Sequence, residues 1–159
     1  MTVAIGDKIP DVEVRTMGPD GPLSVRTGEV LGSGKVVLFA VPGAFTPGCS
    51  RIHLPGFIAN AHELTKKGVD RIVCIAVNDP WVMQAWGDAQ GADDIMMLAD
   101  GNADFAKAMG LDFDGGAIGL GVRSQRYAAV IEDGVITQLD VESKPGVDVS
   151  SCESVLGRL

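Results

Sequence analysis

The chain alternates between short, densely apolar runs and longer stretches in which apolar residues recur every three or four positions. Lys35-Val36-Val37-Leu38-Phe39-Ala40-Val41 and Arg71-Ile72-Val73-Cys74-Ile75-Ala76-Val77 are apolar on successive positions, the pattern of strands covered on both faces. Between them Phe57, Ile58, Ala61 and Leu64 recur at helical spacing up to Lys66-Lys67-Gly68. Strand, helix and strand therefore make a right-handed βαβ unit. Pro55 lies inside the helical pattern and removes a backbone donor, so it predicts a kink rather than an end, because the periodicity continues beyond it.

Asp79-Pro80 joins a capping residue to a first-turn proline and opens a helix through about Ala89, with Trp81, Val82, Ala85 and Trp86 as its apolar face. Ile95 to Leu98 reads as a short strand, and Asn102 to Met109 as a helix stopped by Gly110. Arg126 to Ile131 and Val135 to Val141 are strands joined through Asp133-Gly134, a strong hairpin signal. Residues 3–34 carry Gly, Pro and alternating runs such as Val12-Glu13-Val14-Arg15, which suit an edge hairpin and loops. Gly115 to Gly121 lacks the third glycine and preceding strand of a dinucleotide fingerprint and reads as a flexible loop, while Gly28 to Lys35 has neither the spacing nor the hydroxyl residue of a phosphate loop. The chain ends in a short helix with a capping box at Ser150-x-x-Glu153, which puts Cys152 in its first turn. The element order is that of an α/β fold, a central mixed sheet flanked by helices, in a single domain over residues 1–159.

Composition narrows the picture. The 159 residues, 46% of them hydrophobic, suffice for one core. A net charge of -8 argues against a sequence-independent hold on nucleic acid or anionic lipid. No stretch approaches 18 consecutive apolar residues, and Met1 to Asp7 lacks a basic start and apolar core, so a cytoplasmic protein without a membrane partner is expected. The 3 cysteines, Cys49, Cys74 and Cys152, are odd in number and form no C-x-x-C pair. Thiol chemistry in a reducing compartment suits them better than a disulfide framework.

The chemistry concentrates at Val41 to Phe57. Thr46 is a capping residue, Pro47 suits the first helical position, and Cys49 falls at the third, where backbone N–H groups are free and the helix dipole favours negative charge. Thiolate is the reactive form of cysteine. Packing as a small apolar residue is the competing explanation for Cys49. Thr46 can cap the turn or offer its hydroxyl to whatever the sulfur binds, and His53 lies one turn later on the same face.

Pro42-Gly43-Ala44-Phe45-Thr46-Pro47-Gly48-Cys49-Ser50, continuing into His53-Leu54-Pro55-Gly56-Phe57, resembles the active-site signature of peroxiredoxins of the type-II or type-5 branch. Val77-Asn78-Asp79-Pro80 with Trp86 after it, Leu98-Ala99-Asp100, and Arg123 through Tyr127 leading to Glu132-Asp133-Gly134 extend the likeness in the same order from about Gly6 to the C-terminus. The resemblance implies a thioredoxin-like fold and a thiol-dependent peroxidase that reduces hydrogen peroxide and small alkyl hydroperoxides through a cysteine cycling via sulfenic acid, with no cofactor and no metal. It implies catalytic roles for Cys49, Thr46 and an arginine at the start of the strand after the glycine-rich loop. Arg126 matches that place better than Arg123, which reads as a solvated loop charge. Pro42, Phe45, Gly48, His53 and Leu120 are the expected pocket residues, with Phe45, Phe57 and Leu120 as a candidate apolar collar, although core packing explains each of these three equally well. His53 stands where other branches carry a carboxylate and reads as a satisfied structural imidazole rather than a pocket group.

The resemblance leaves the resolving thiol open. Cys74 matches the position used in plant-type members and Cys152 that of the animal atypical two-cysteine members. Cys74 lies mid-strand, where a thiol is usually inert packing, and Cys152 near a chain end, where local unfolding is cheap. Failing both, an external thiol reductant, thioredoxin or glutaredoxin with glutathione, restores Cys49. A homodimer is also implied, packed near the start of the Asp79 to Trp86 helix and the loop before Arg123. Rival readings are a metal site at Cys49 and His53, which lacks a second closely spaced ligand pair, a peroxide sensor using the same cysteine without turnover, and a redox-inactive scaffold.

Overall fold

The computed structural model describes residues 1–159. An edge hairpin, β1 (Glu13–Gly18) and β2 (Gly21–Arg26), leads through a short helix α1 (Thr27–Val30) into β3 (Lys35–Ala40). A π-helical segment (Cys49–His53) runs into α2 (Leu54–Lys66), followed by β4 (Arg71–Ala76), α3 (Pro80–Gln90), β5 (Met96–Ala99) and α4 (Asp104–Met109). A small ribbon, β6 (Asp112–Asp114) and β7 (Val122–Ser124), precedes β8 (Tyr127–Glu132), β9 (Val135–Val141) and α5 (Cys152–Arg158). The main sheet has the order β2-β1-β5-β4-β3-β8-β9, parallel across β3, β4 and β5 and antiparallel at both flanks. It is the mixed sheet the element order predicts and the thioredoxin-like one the resemblance implies.

Alternation along the central strands explains why both faces are covered. Val37, Phe39, Ile72, Cys74 and Ala76 pack on one side with Leu54, Phe57 and Leu64 of α2, Met83 and Trp86 of α3 and Val155 of α5. Val36, Leu38, Ala40, Val73 and Ile75 pack on the other with Leu31, Phe105 and Met109. Side chains two apart share a face, so a continuously apolar strand needs a partner layer on each side. The Phe57 ring stacks on Phe39 at 4.0 Å between centroids and 3° between planes. Burying such a ring contributes roughly 2 to 3 kcal/mol, and it makes Phe57 core rather than pocket collar.

Four other details depart from the expectations. The distortion near Pro55 is the π-helical segment that ends at His53, with Leu54 N–H donating to the Cys49 carbonyl five residues back. Widening the turn just before Pro55 accommodates the missing donor, and α2 then continues regularly. Gly115 to Gly121 is the tight tip of the β6–β7 ribbon, with a 3-10 turn at Gly116–Ile118 and Gly115 N–H donating to the Gly121 carbonyl at 2.6 Å. The α5 cap is Ser151, whose Oγ accepts from Ser154 N–H at 3.1 Å; Ser150 is committed elsewhere. Trp86 is fully buried, but Trp81 points outward with 64% of its surface exposed, because the buried face of α3 runs through Pro80, Met83, Trp86 and Gly87. The predicted Asp79 cap holds, its Oδ1 accepting from Val82 N–H at 2.8 Å. At the β8–β9 turn Asp133 and Gly134 both have positive φ, 49° and 82°, as the favoured two-residue hairpin requires.

Candidate active site

The site sits where the chain leaves β3 and enters the helix carrying Cys49. Pro42 and Gly43 end the strand, and Phe45 is held at φ 65°, a left-handed conformation that costs an ordinary side chain about 1 to 2 kcal/mol. This turn aims Phe45 outward, 56% exposed, and brings Thr46 back under the loop. Asn78 Oδ1 holds the loop from β4's end by accepting from Ala44 N–H at 2.9 Å. The helix opens at Pro47, with Ser50 N–H donating to the Thr46 carbonyl at 2.9 Å. Neither Gly48 nor Cys49 N–H has a backbone acceptor, so both are free first-turn donors beside the sulfur.

Thr46 does not spend its hydroxyl on the cap. Its Oγ1 lies 2.7 Å from the Gly43 carbonyl and 2.9 Å from Cys49 Sγ. One hydroxyl proton cannot serve both. In the thiol form S–H can donate to Oγ1 while O–H donates to Gly43, and in the thiolate form the hydroxyl can turn to the sulfur.

Arg126, the last residue before β8, brings its guanidinium to the sulfur. Its Nη2 donates to Cys49 Sγ at 3.1 Å and its Nη1 to His53 Nδ1 at 2.9 Å. Guanidinium has no acceptor, so His53 Nδ1 carries no proton and His53 Nε2–H donates to the Ser150 carbonyl at 2.8 Å. The ring lies against Phe39 and Phe57, centroids 5.0 and 5.6 Å away. Burial holds the His53 pKa down to about 4, with the Arg126 charge adding to the effect and the Ser150 carbonyl and Glu142 opposing it. His53 is thus the satisfied imidazole the sequence suggested, and its neutrality gives Arg126 a fixed acceptor.

Protonation of this ring ties stability to pH. The unfolded chain takes up a proton at His53 near pH 6.5 and the folded chain only near 4. Between these values the unfolded state binds more protons, so stability is complete above about pH 6.5 and is lost as pH falls, by about 3 kcal/mol at pH 4. Asp100, whose carboxyl is raised chiefly by burial, contributes with the opposite sign, so the measurement is a comparison. Urea midpoints should fall more steeply from pH 6.5 to 4 in the native chain than in His53→Gln. Parallel slopes would dismiss His53 as the source.

Among the other expected pocket residues, Pro42 and Gly48 lie close to Arg126. Pro42 and Arg126 border a cavity of about 310 Å³ with Phe113, Gln125, Glu142 and Lys144, and a Cβ on Gly48 would come within 3.2 Å of Arg126 Nη2. Leu120 enters through its carbonyl, which accepts from Arg123 Nε at 3.0 Å. Arg123 is not a solvated loop charge. Half-buried, it also donates through Nη1 to the Pro42 carbonyl at 3.2 Å and so ties the glycine-rich ribbon to the loop before Cys49. Gly43 leaves it room, since a Cβ there would meet Nη1 at 2.8 Å. Ser150, whose carbonyl holds the far side of His53, carried only the capping-box signal, and Glu142, which binds Ser150, carried none. No group of three or more His, Cys, Asp or Glu side chains is arranged to hold a metal ion.

Cys49, Cys74 and Cys152 are all free and buried, and all three belong to one apolar cluster. Burial raises the Cys74 thiol well above its ordinary range, and negative charge at Cys49 raises it further. Cys152, at the first position of α5 rather than in a loose tail, is pushed up to about 12 by burial, with Glu153 adding to it.

A family model described as Redoxin matches residues 4–156. The chain is 47% identical over 164 residues to the chloroplastic peroxiredoxin-2E-2 of Oryza sativa subsp. japonica, covering 99% of this chain and 73% of that one. It is 43% identical to peroxiredoxin-2B of Arabidopsis thaliana over 159 residues, 99% of this chain and 98% of the relative. The crystal structure of reduced Prx3 of Vibrio vulnificus in complex with hydrogen peroxide superposes with a TM-score of 0.95 at 47% identity, covering 99% of both chains. The chain belongs to the redoxin family and, within it, to the type-II peroxiredoxins, which are thiol-dependent peroxidases.

Proposed function

We propose that Cys49 is the peroxidatic cysteine, that Thr46 keeps its thiolate available and that Arg126, with the Thr46 hydroxyl, steers the peroxide. The observation that carries this reading is the grip on Sγ, with Thr46 Oγ1 at 2.9 Å, Arg126 Nη2 at 3.1 Å and free first-turn amides alongside. The thiolate attacks one oxygen of the hydroperoxide, an S–O bond forms as the O–O bond breaks, and the other oxygen leaves as alkoxide or hydroxide and takes up a proton. Arg126 and the Thr46 hydroxyl face the charge that develops on those oxygens. Cys49 becomes sulfenic acid. A thiol then displaces water to form a mixed disulfide, and a second thiol releases Cys49 as the free thiol.

We infer that the resolving thiol is external, thioredoxin or glutaredoxin with glutathione. Cys74 and Cys152 are buried and held in their protonated forms, and the protonated thiol is the poor nucleophile. Because Cys49 itself has no exposed surface, small peroxides suit it best, and a protein thiol requires the first turn to open. Intact mass after one equivalent of hydrogen peroxide tests this. The expected product is one added oxygen mapped to Cys49. Loss of two hydrogens with Cys49 joined to Cys74 or Cys152 would assign resolution to that residue. A sensor without turnover would stop after one equivalent even with excess reductant.

The exposed apolar residues Phe45, Trp81, Ile118 and Val122 support a homodimer, since the Ala44–Asn78 and Arg123–Pro42 hydrogen bonds draw their loops to one side of the site. Sedimentation equilibrium returning a monomer mass at micromolar concentration would exclude it. No helix is long and apolar enough to cross a membrane, and net charge -8 disfavours nucleic-acid partners. We place the protein in a reducing, cytoplasm-like compartment, where three unpaired thiols persist.

A further inference from the structure

Arg126 is held by a closed ring of hydrogen bonds that reaches far beyond the reacting sulfur. Its Nη1 donates to His53 Nδ1, and His53 Nε2–H donates to the Ser150 carbonyl. Ser150 is clamped by Glu142 Oε2, which accepts from its N–H at 2.9 Å and from its Oγ–H at 2.6 Å. The same oxygen accepts from Asp148 N–H at 2.7 Å. Glu142 N–H donates to the Arg126 carbonyl at 3.0 Å and closes the ring. Ser150 and His53 are buried, at 0% and 1% exposure, so water cannot replace a lost partner cheaply.

The geometry points to Glu142 as a positioning residue for the peroxide-cleaving Arg126, acting through the Ser150 carbonyl and the His53 ring. This inference rests on the roles proposed above for Cys49 and Arg126.

The ring is needed because a guanidinium on a flexible stem has many ways to be near a thiolate and few that leave one N–H for the sulfur while facing the incoming O–O group. His53 occupies Nη1 and leaves Nη2 to Cys49. The imidazole can do so only in the Nε2–H tautomer, and the Ser150 carbonyl selects that tautomer by accepting the proton on Nε2. Ser150 lies in an irregular stretch between β9 and α5, with no ladder to place its carbonyl. Glu142 does that placing with three donors converging on one oxygen. Burial works against the Glu142 carboxylate, and the hydrogen bonds from Ser150, Asp148 and Val149 outweigh it and keep the group ionised. Displacement of a catalytic group by about 1 Å can cost on the order of 100-fold in rate.

A loop staple would fasten residues 143–149 and change stability alone, whereas a positioning residue changes peroxide chemistry selectively. The test compares two second-order rates at Cys49 by stopped flow and alkylation: oxidation by hydrogen peroxide, which needs an oriented Arg126, and reaction with iodoacetamide, which does not involve O–O cleavage. In Glu142→Ala the peroxide rate should fall by about ten-fold or more while alkylation stays within about two-fold of the native rate. Glu142→Gln, which can present a carbonyl oxygen at the Oε2 position, should recover the peroxide rate to within about three-fold. Nitrogen-15 shifts of His53 should report unprotonated Nδ1 in the native chain and in Glu142→Gln, and a mixed tautomer in Glu142→Ala. Glu142→Asp withdraws the carboxylate by one methylene and guards against misfolding of the alanine variant; the same selective loss is expected. A native peroxide rate in Glu142→Ala or Glu142→Asp, or equal losses with both reagents, would overturn the inference. If native Cys49 itself failed to react with peroxide, the underlying assignment of the site would fall instead.

Discussion

Cys49→Ser is expected to lose peroxide turnover altogether. With hydrogen peroxide and excess dithiothreitol the rate should drop by at least about 10⁴-fold, since loss of the nucleophile removes the covalent route. The fold should survive, because a serine hydroxyl fits the space and can exchange hydrogen bonds with Thr46 Oγ1 and Arg126 Nη2 as the sulfur does. The loss is therefore chemical: a hydroxyl at that position is not ionised near neutral pH and is a far weaker nucleophile toward peroxide. Nor can the remaining thiols take over. Cys74 is in mid-strand and fully buried, and Cys152, the first residue of α5, is held near 12. Peroxide consumption followed in the presence of reductant, with far-ultraviolet circular dichroism to confirm folding, checks both halves of the expectation. A folded variant keeping even a few per cent of the rate would move the chemistry to another thiol.

What could be read from the sequence was what local physics dictates. The strands at β3 and β4 announce themselves because continuous apolar runs have only one economical place, the middle of a covered sheet. The placement of Cys49 follows from Thr46-Pro47 alone, since a proline tolerates the first turn and little else in a helix. Arg126 needed the family likeness, because nothing local distinguishes it from Arg123. Both turn out to be bound, and the acceptors of Arg123 explain why it reads as a solvated charge: they are main-chain carbonyls, at Leu120 and Pro42, which leave no trace in side-chain patterns. The capping box failed for a related reason. Ser150 has the right spacing to Glu153, but Glu142, eight residues upstream, captures both its N–H and its hydroxyl, and Ser151 takes the cap. Gly115 to Gly121 looked loose because glycine permits disorder; here it permits the tight tip of a ribbon whose strands pair from Asp112 to Ser124. The π-helical turn at Cys49–His53 had only Pro55 as a forewarning, and a missing donor does not say whether a helix will kink, end or widen.

Arg126→Ala should separate the two things a peroxidase site must do, keep a thiolate available and break an O–O bond. The thiol remains in place, supported by Thr46 and by the free N–H groups of Gly48 and Cys49, so alkylation by iodoacetamide should continue. Peroxide reduction should fall by about 100- to 1,000-fold, the usual loss when a preorganised donor to developing oxyanion charge is removed. Arg126→Lys should recover little of this. A lysine could offer one ammonium to the sulfur or to His53 Nδ1, but the two acceptors are met here by separate nitrogens of one planar fork, at 3.1 and 2.9 Å, which an ammonium on a flexible stem cannot reproduce. Removing the guanidinium also leaves His53 Nδ1 without its donor inside an aromatic cage, so a loss of about 1 to 3 kcal/mol in stability should accompany the kinetic defect. Stopped-flow oxidation, alkylation and urea unfolding on the two variants give the full set. Lysine restoring the native peroxide rate would show that charge alone suffices and that the two-armed geometry around Cys49 is incidental, whereas equal slowing of oxidation and alkylation would mean that Arg126 acts on the thiol and not on the peroxide.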